Sequence, residues 1–370
     1  MRNSLMEEEW LNRIALTHIP ALGPVRIRSL IEYFGSATNV FSSNRKEWLR
    51  VPNMTEQSCK ELKKKQYQSI AAVEWNFIQL NQIKPLFLTD ADYPSRLLHC
   101  YDPPPILYYK GNAHLNHPRI ISVIGTRNPT QYGKQVTEQL ITSLQEANVI
   151  IISGLAYGID ALAHKLALQF QIPTIGVLAH GLDTIYPWQH VALARDMEKQ
   201  GALLTEFGSK TQPDKHNFPR RNRIVAGMAD ATIVMETAIK GGSMITAELA
   251  FEYNRDLFAV PGKITDPTAS GCLQLIQQNK AHVYTSAENL LQVLGWKNRQ
   301  PIVRQTRLWN EVSSDEKLII DLLQKTDSMF IDELQLRTGK SPGWLAAVLL
   351  SLEMKSCIQS LPGKRYALPG

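Results

Sequence analysis

Six short apolar runs, separated by helix-length stretches, constrain this chain more than any other feature. They are Ile120–Ile124, Val149–Ile152, Thr174–Leu178, Leu203–Glu206, Thr232–Met235 and Leu257–Val260. Continuous apolar runs of this length, without polar alternation, read as strands buried on both faces. The intervening segments, such as Tyr132–Leu144, look helical. Strands alternating with helices predict an α/β fold built on a Rossmann-like, doubly wound parallel sheet. Several runs end in glycine or small polar residues. Gly125-Thr126-Arg127 follows the first, Ser153-Gly154-Leu155-Ala156-Tyr157-Gly158 the second, and Ala179-His180-Gly181-Leu182-Asp183 the third. Ligands of such sheets bind at the carboxyl ends of the strands. Gly125–Arg127, Ser153–Gly158, Lys215–Arg223 and Gly241–Ser243 are therefore expected to converge, although they are distant in sequence.

Two of these stretches carry distinct chemistry. Lys215-His216-Asn217-Phe218-Pro219-Arg220-Arg221-Asn222-Arg223 holds four cations and one aromatic in nine residues. A basic loop with an interleaved ring suits a phosphodiester strand with bases to stack. Lys240-Gly241-Gly242-Ser243 opens the helix-like run Met244–Asn254. Such a turn suits a phosphate, because free N–H groups and the helix dipole point at it. The plainer alternative is a solvated basic loop beside an ordinary strand–turn–helix. Both features in one α/β unit favour the phosphate reading.

Composition sets the frame. The 370 residues, 44% of them apolar, allow two or three globular domains. A net charge of +6 and a pI near 9.0 favour nucleic acid or phosphate partners without establishing them. Cys59, Cys100, Cys272 and Cys357 are scattered, with no CxxC pair, so neither a disulfide framework nor a zinc site is readable, and reduced thiols fit a cytoplasmic protein. The acidic N-terminus has no apolar core of a signal peptide, and no run is long enough for a membrane span.

Residues 1–82 read as a helical domain with two helix–turn–helix blocks, around Ile19–Pro24 and Val51-Pro52-Asn53. This is a helix-hairpin-helix (SAM-like) plan, equally readable as a small bundle or as a DNA-phosphate contact. Lys60–Lys65 is expected to be a solvated helix face. Residues 83–296 form the Rossmann-like domain, 297–310 a polar linker, and 311–370 a winged-helix-like domain. In that tail Leu318, Ile319, Leu322 and Leu323 make one apolar stripe, Ser341 caps a helix with Pro342 in its first turn, and Pro362-Gly363-Lys364 joins two short strands. The helix from Pro342 to Met354 has no Lys or Arg, so packing or a protein contact is favoured over groove reading.

Other motifs are excluded. Gly339-Lys340-Ser341 lacks the earlier glycine of a P-loop, since position 334 is Leu. Arg127 stands where a dinucleotide fingerprint needs glycine, so no NAD or FAD cofactor is expected. No metal-ligand arrangement stands out. The pairs Asp160/His164 and Glu248/Glu252 read as surface pairs rather than catalytic ones, and Asp183 as a loop or cap residue.

Five motifs then occur in order: Gly125-Thr126-Arg127…Tyr132-Gly133; Ser153-Gly154-Leu155-Ala156-Tyr157-Gly158-Ile159-Asp160; Gly181-Leu182-Asp183…Tyr186-Pro187; Phe218-Pro219-Arg220-Arg221-Asn222-Arg223-Ile224-Val225-Ala226-Gly227; and Gly242-Ser243-Met244-Ile245-Thr246-Ala247. Together they strongly resemble the DNA processing protein A (DprA/Smf) family. The resemblance implies cooperative binding of single-stranded DNA, homodimerisation through the Rossmann-like domain and loading of a RecA-type recombinase during natural transformation, with no enzymatic activity. It places the family's DNA-contacting arginine on Arg127, its lysine on Lys215, its stacking aromatic on Phe218 and its Gly-Ser turn on Gly242-Ser243. The full set of expected DNA contacts is Gly125, Thr126, Arg127, Lys215, Phe218, Arg220, Arg221, Asn222, Arg223, Gly241, Gly242 and Ser243. The later motif Gly271–Ile276 departs by carrying Leu273 where Asn is usual.

A second function class stays open at this point. Gly241-Gly242-Ser243…Ala247-Glu248 also resembles the loop of phosphoribohydrolases acting on nucleoside monophosphates, with Glu248 as the acid group. Ser243-Met244 departs from that loop, and Lys215–Arg223 is excessively cationic for one phosphate.

Overall fold

The computed structural model describes residues 2–296 and 313–368, apart from 325, 327, 356 and 362–364. The expected linker 297–310 and the turn Pro362-Gly363-Lys364 lie outside the described residues. The chain divides into two compact units, Met1–Trp296 and Lys297–Gly370.

The first unit is built on a nine-stranded sheet. Its strands are β1 (Lys84–Phe87), β2 (Ile106–Gly111), β3 (Ile120–Ile124), β4 (Ile150–Ser153), β5 (Thr174–Val177), β6 (Ala202–Thr205), β7 (Ala231–Val234), β8 (Asp256–Ala259) and β9 (His282–Val283). Their order is β1-β2-β6-β5-β4-β3-β7-β8-β9. Pairing is parallel from β6 through β9 and antiparallel for β1–β2 and β2–β6. The six apolar runs are β3 to β8, displaced by no more than a residue. The two-residue β9 and the Pro-containing β1 carry too little periodicity to be read from sequence.

Alternation along the strands shows why the runs are apolar throughout. Ile120 and Ile124 face one core, with the helices Asn217–Met228 and Gly242–Glu252; Ile121 and Val123 face another, with the helices Gln131–Ser143 and Ile159–Gln169. Both faces are covered, as a parallel sheet requires. The chain winds outward from β3 through β4 and β5 to β6, then crosses back to β7 on the other side of β3. The strand order therefore reverses between β3 and β7, and a crevice opens there.

The helices between residues 2 and 80 do not keep a separate core. Ile14, Leu16 and Ile78 pack with Phe87, Ile106 and Tyr108 of β1 and β2. Polar locks reinforce this seam. Buried Glu74 accepts the Ser209 N–H with both carboxylate oxygens, each at 3.0 Å, and the Ser209 hydroxyl at 2.5 Å. Arg13 spans Glu9 and Asp90, each at 2.9 Å, beneath the rings of Trp10 and Phe87. Lys60, Lys63, Lys64 and Lys65 are exposed.

The second unit packs the helices Ser314–Leu323, Ile331–Thr338 and Pro342–Met354 on a small sheet of β10 (Met329–Phe330), β11 (Gln359–Leu361) and β12 (Arg365–Ala367), ordered β10-β12-β11. This is a winged helix. Ser341 accepts the Trp344 N–H and Pro342 occupies the first turn. The expected stripe needs one correction: Ile319, Ile320 and Leu323 are buried, Leu322 packs against them, and Leu318 is 41% exposed. Residues 319, 320 and 323 lie on one helical face, and 318 turns away from it.

Two expected outcomes test these locks. Glu74→Ala should lower the stability of the first unit by about 1–3 kcal/mol in urea unfolding, because the half-buried Ser209 N–H and hydroxyl lose their acceptor. Glu316 is also buried, and the donating Lys355 ammonium, the Ser351 hydroxyl and the Ser313 N–H hold its carboxyl down at about 2. A folded pKa below the ordinary 4.5 adds stability that is complete above 4.5 and lost as pH falls toward about 2. Urea unfolding of the second unit, followed on the Met329 methyl resonance, should show that acid loss. Glu316→Gln should be less stable at neutral pH and flat across the window.

Candidate nucleic-acid interface

The turn after β3 is fixed by the end of β7. Thr126 N–H donates to the Glu236 carbonyl at 2.7 Å, and the buried Glu236 carboxylate accepts Thr130 N–H at 2.9 Å and Thr130 Oγ1–H at 2.6 Å. Gly158 closes the turn from the other side. Its φ is +80°, and a Cβ there would sit 2.2 Å from the Thr126 carbonyl oxygen, so only glycine fits. Arg127 is thrown outward, exposed, with its guanidinium 5.7 Å above the Phe218 ring.

The basic run is not a loop. It enters the helix Asn217–Met228, and the helix sorts its cations. Arg221 points inward and is only 4% exposed. Its Nη1 donates to the carbonyls of Gly154, after β4, and Val177, at the end of β5, the latter at 2.5 Å; its Nε donates to Asn222 Oδ1 at 3.1 Å. A Cβ on Gly154 would lie 2.3 Å from that Nη1. Burial lowers the Arg221 pKa to about 10, Asp160 opposes the shift and Arg127 adds to it, so the group stays cationic at neutral pH. Asp160 is buried and accepts Gly154 N–H at 3.1 Å. Burial raises its carboxyl pKa against the pull of Arg221.

One sequence expectation is corrected here, and three further residues are placed outside the cleft. Asp160 and His164 are no surface pair: Asp160 is buried and its charge favours the cationic form of Arg221, and His164 is wholly buried against Thr174, 2.7 Å away, with burial dropping its pKa to about 3. Arg223 is buried outside the cleft, donating to Glu206 at 2.5 Å and to the Asp102 carbonyl. Arg220 is exposed but also bonds Glu206, at 3.2 Å, and lies 4.9 Å over Phe207. Glu248, the acid group of the phosphoribohydrolase reading, is not among the residues lining the cleft and pairs with Lys280 at 2.6 Å.

The third wall is the start of the helix Gly242–Glu252. Gly241 caps it without a side-chain hydrogen bond, and Ser243 Oγ–H donates to Thr237 Oγ1 at 2.8 Å. A Cβ on Gly241 would sit 2.3 Å from that Thr237 oxygen, while space around Gly242 is open. Gly271 N–H donates to the Thr237 carbonyl, so the motif around Leu273 supports this turn from behind.

These walls enclose a cleft of about 650 Å³ at the carboxyl ends of β3 and β7. Gly125, Thr126, Arg127, Lys215, Phe218, Arg221, Asn222, Gly241, Gly242 and Ser243 all line it; Arg220 and Arg223 do not. Thr237, Thr246 and Asp160 also line it and were not expected. Asp160 had a signal, a lone carboxylate in the first turn of a helix whose other inward residues are apolar except for His164. Among the described residues no group of acidic, His or Cys side chains could hold a metal ion.

Fold and site together define a doubly wound α/β protein with a glycine-walled, cationic cleft at the point where strand order reverses. The chain belongs to the DNA processing protein A (DprA/Smf) family. The family model for DNA recombination-mediator protein A matches residues 84–295, and that for the DprA winged helix domain matches residues 305–364. DNA processing protein DprA of Bacillus subtilis is 42% identical over 219 residues, covering 59% of this chain and 73% of that protein. Protein Smf of Synechocystis is 31% identical across 95% of this chain and 97% of its own length. Among solved structures, DprA of Streptococcus pneumoniae superposes with a TM-score of 0.61 at 31% identity, covering 76% of this chain and 95% of that one. DprA of Helicobacter pylori, solved to explain its single-stranded DNA binding mode, gives 0.53 at 31% identity, covering 58% and 95%.

Arg221→Met keeps volume but strands two carbonyls and the Asp160 charge. It should cost about 3–5 kcal/mol in chemical unfolding. Asp160→Asn added to Arg221→Met should recover part of that loss; strictly additive losses in the double variant would mean the two charges do not interact.

Proposed function

We propose that this chain binds single-stranded DNA in the cleft as a non-catalytic recombination mediator. The observation that carries the reading is the partnering of the cations. Arg220, Arg221 and Arg223 are committed to protein carbonyls or carboxylates, whereas Arg127 and Lys215 line the cleft with no ion-pair partner among the described residues. Phe218 lines the same cleft with its ring 5.7 Å from the Arg127 guanidinium. The first-turn N–H groups of the helix Gly242–Glu252 add a phosphate-sized donor site opposite. Two free cations, a ring and an amide nest suit a flexible phosphodiester with unpaired bases better than a mononucleotide.

The finer role rests on family membership. In this reading the protein protects incoming DNA and loads a RecA-type recombinase during natural transformation, acting in the cytoplasm as a homodimer through the Rossmann-like region. The single-stranded DNA binding of the Helicobacter pylori relative supports the ligand. Among the described residues no helix is long and apolar enough to cross a membrane. The division at residues 82, 296 and 310 belongs to the same proposal, with the helical and winged-helix parts accessory to the cleft.

Fluorescence anisotropy on oligo-dT tests the reading. Arg127→Ala and Lys215→Ala should each flatten the salt dependence by about 0.7 in log–log slope, the value for one lost single-strand phosphate contact. Phe218→Leu should weaken binding by about 1–3 kcal/mol without changing that slope. Unchanged affinity and slope in a folded Arg127→Ala/Lys215→Ala protein would place the DNA elsewhere. Recombinase loading is checked separately, by nucleation of RecA filaments on DNA coated with single-strand-binding protein.

A further inference from the structure

The cleft has a side branch. Between Phe218 and Tyr186, whose ring centroids lie 6.1 Å apart at 55°, a small cavity of about 50 Å³ runs toward the loop after β5. It shares Arg127, Gly154, Phe218 and Arg221 with the main cleft and is closed by Tyr157, Tyr186 and Pro187. Beyond it the surface is aromatic. Tyr157 is 39% exposed, Tyr186 45% and Trp188 74%. Rings this exposed contribute little to a core, and three of them, on or next in sequence to residues lining the cavity, offer aromatic surface to a ligand.

The loop that carries them is held firmly. Tyr186 N–H donates to His180 Nε2 at 3.2 Å, and His180 is buried. Tyr157 OH donates to Gln189 Oε1 at 2.5 Å and stands edge-on to His190, 5.2 Å away; His190 in turn donates through Nδ1 to the Leu155 carbonyl at 2.9 Å. The shelf is thus tied to the glycine turn that forms the cleft wall. Its segment, residues 179–190, contains no Lys or Arg, and its one carboxylate, Asp183, already accepts the Lys210 N–H.

We propose that a DNA strand leaving the cleft continues over this shelf, with successive bases stacking on Tyr186 and Trp188. The inference rests on the single-stranded DNA reading of the cleft and extends it to residues outside the cationic site. Continuity with the cleft through the Phe218–Tyr186 cavity, and exposed rings on a segment without Lys or Arg, select unpaired bases as the occupant. Stacking without cations adds affinity without releasing counterions, so its signature is distinct from that of Arg127 and Lys215.

The experiment uses the full chain with oligo-dT of about six and about twenty nucleotides, a span bracketing single-strand site sizes. Tyr186→Ala and Trp188→Ala should each weaken the longer oligonucleotide about tenfold, leave its salt slope unchanged and barely affect the shorter one. Trp188→Phe should restore most of the affinity while abolishing the tryptophan quenching that the longer oligonucleotide produces. Unchanged affinity for the longer oligonucleotide in folded Tyr186→Ala and Trp188→Ala proteins, with Arg127→Ala still impaired, overturns the shelf and leaves the cleft standing. A change of oligomeric state in Trp188→Ala, seen by sedimentation, would make the shelf a self-contact and also overturn it. Wild-type protein that binds neither oligonucleotide overturns both readings.

Discussion

The site depends on one buried guanidinium. Carbonyls at the carboxyl ends of neighbouring parallel strands have no further strand to bond, and in this sheet those of Gly154 and Val177 are turned toward the same point. Arg221 satisfies both from the helix Asn217–Met228, and the buried Asp160 carboxylate offsets its charge. The close fit against Gly154 fixes how that helix lies over the end of the sheet. Phe218, one turn earlier on the same helix, is thereby set at the cleft rim beneath Arg127. A buried ion pair is rarely a gain in stability over an apolar replacement. Here the buried guanidinium, bonded to two carbonyls, couples the helix that carries the aromatic to the loops after β4 and β5.

The electrostatics of the cleft follow from partnering rather than from the number of cations nearby. Glu206 takes both Arg220 and Arg223, which withdraws two of the four charges in the basic run. The cations of the cleft without a hydrogen-bond or ion-pair partner among the described residues are Arg127 and Lys215, beside the amide end of the helix Gly242–Glu252. The proposed single-stranded DNA reading needs such a site, with cations for phosphates and space for bases. The Glu236 clamp on Thr126 and Thr130 keeps Arg127 on a turn with a fixed backbone, so its side chain need not be ordered from a mobile loop on binding.

The second unit follows a different logic. Its winged-helix core is closed by Ile319, Ile320, Leu334, Leu345 and Leu352, and the helix Pro342–Met354 presents no cation. A helix placed in a DNA groove draws most of its affinity from phosphate neutralisation. This one carries no Lys or Arg from Pro342 to Met354, and the fold alone does not confer groove reading.

Much of this was legible in the sequence because hydrophobic periodicity is a local property. The apolar runs of β3 to β8 are buried on both faces, so each announces itself without reference to its neighbours, and the glycines at Gly154 and Gly158 mark backbone that a side chain would obstruct. The sequence alone therefore determined the α/β class, the strands and the four segments that meet at their ends. It did not decide which cations are free. Arg220, Arg221 and Arg223 look alike along the chain, and Asp160 looks like a surface residue, because a helix sends positions 220, 221 and 223 in different directions and their partners, Glu206, Asp102, Gly154 and Val177, come from 14 to 121 residues away. The tertiary structure chose between ligand-facing and buried charge, because desolvation makes an unpaired inward cation too costly, and only folding brings its carbonyls and carboxylates within reach.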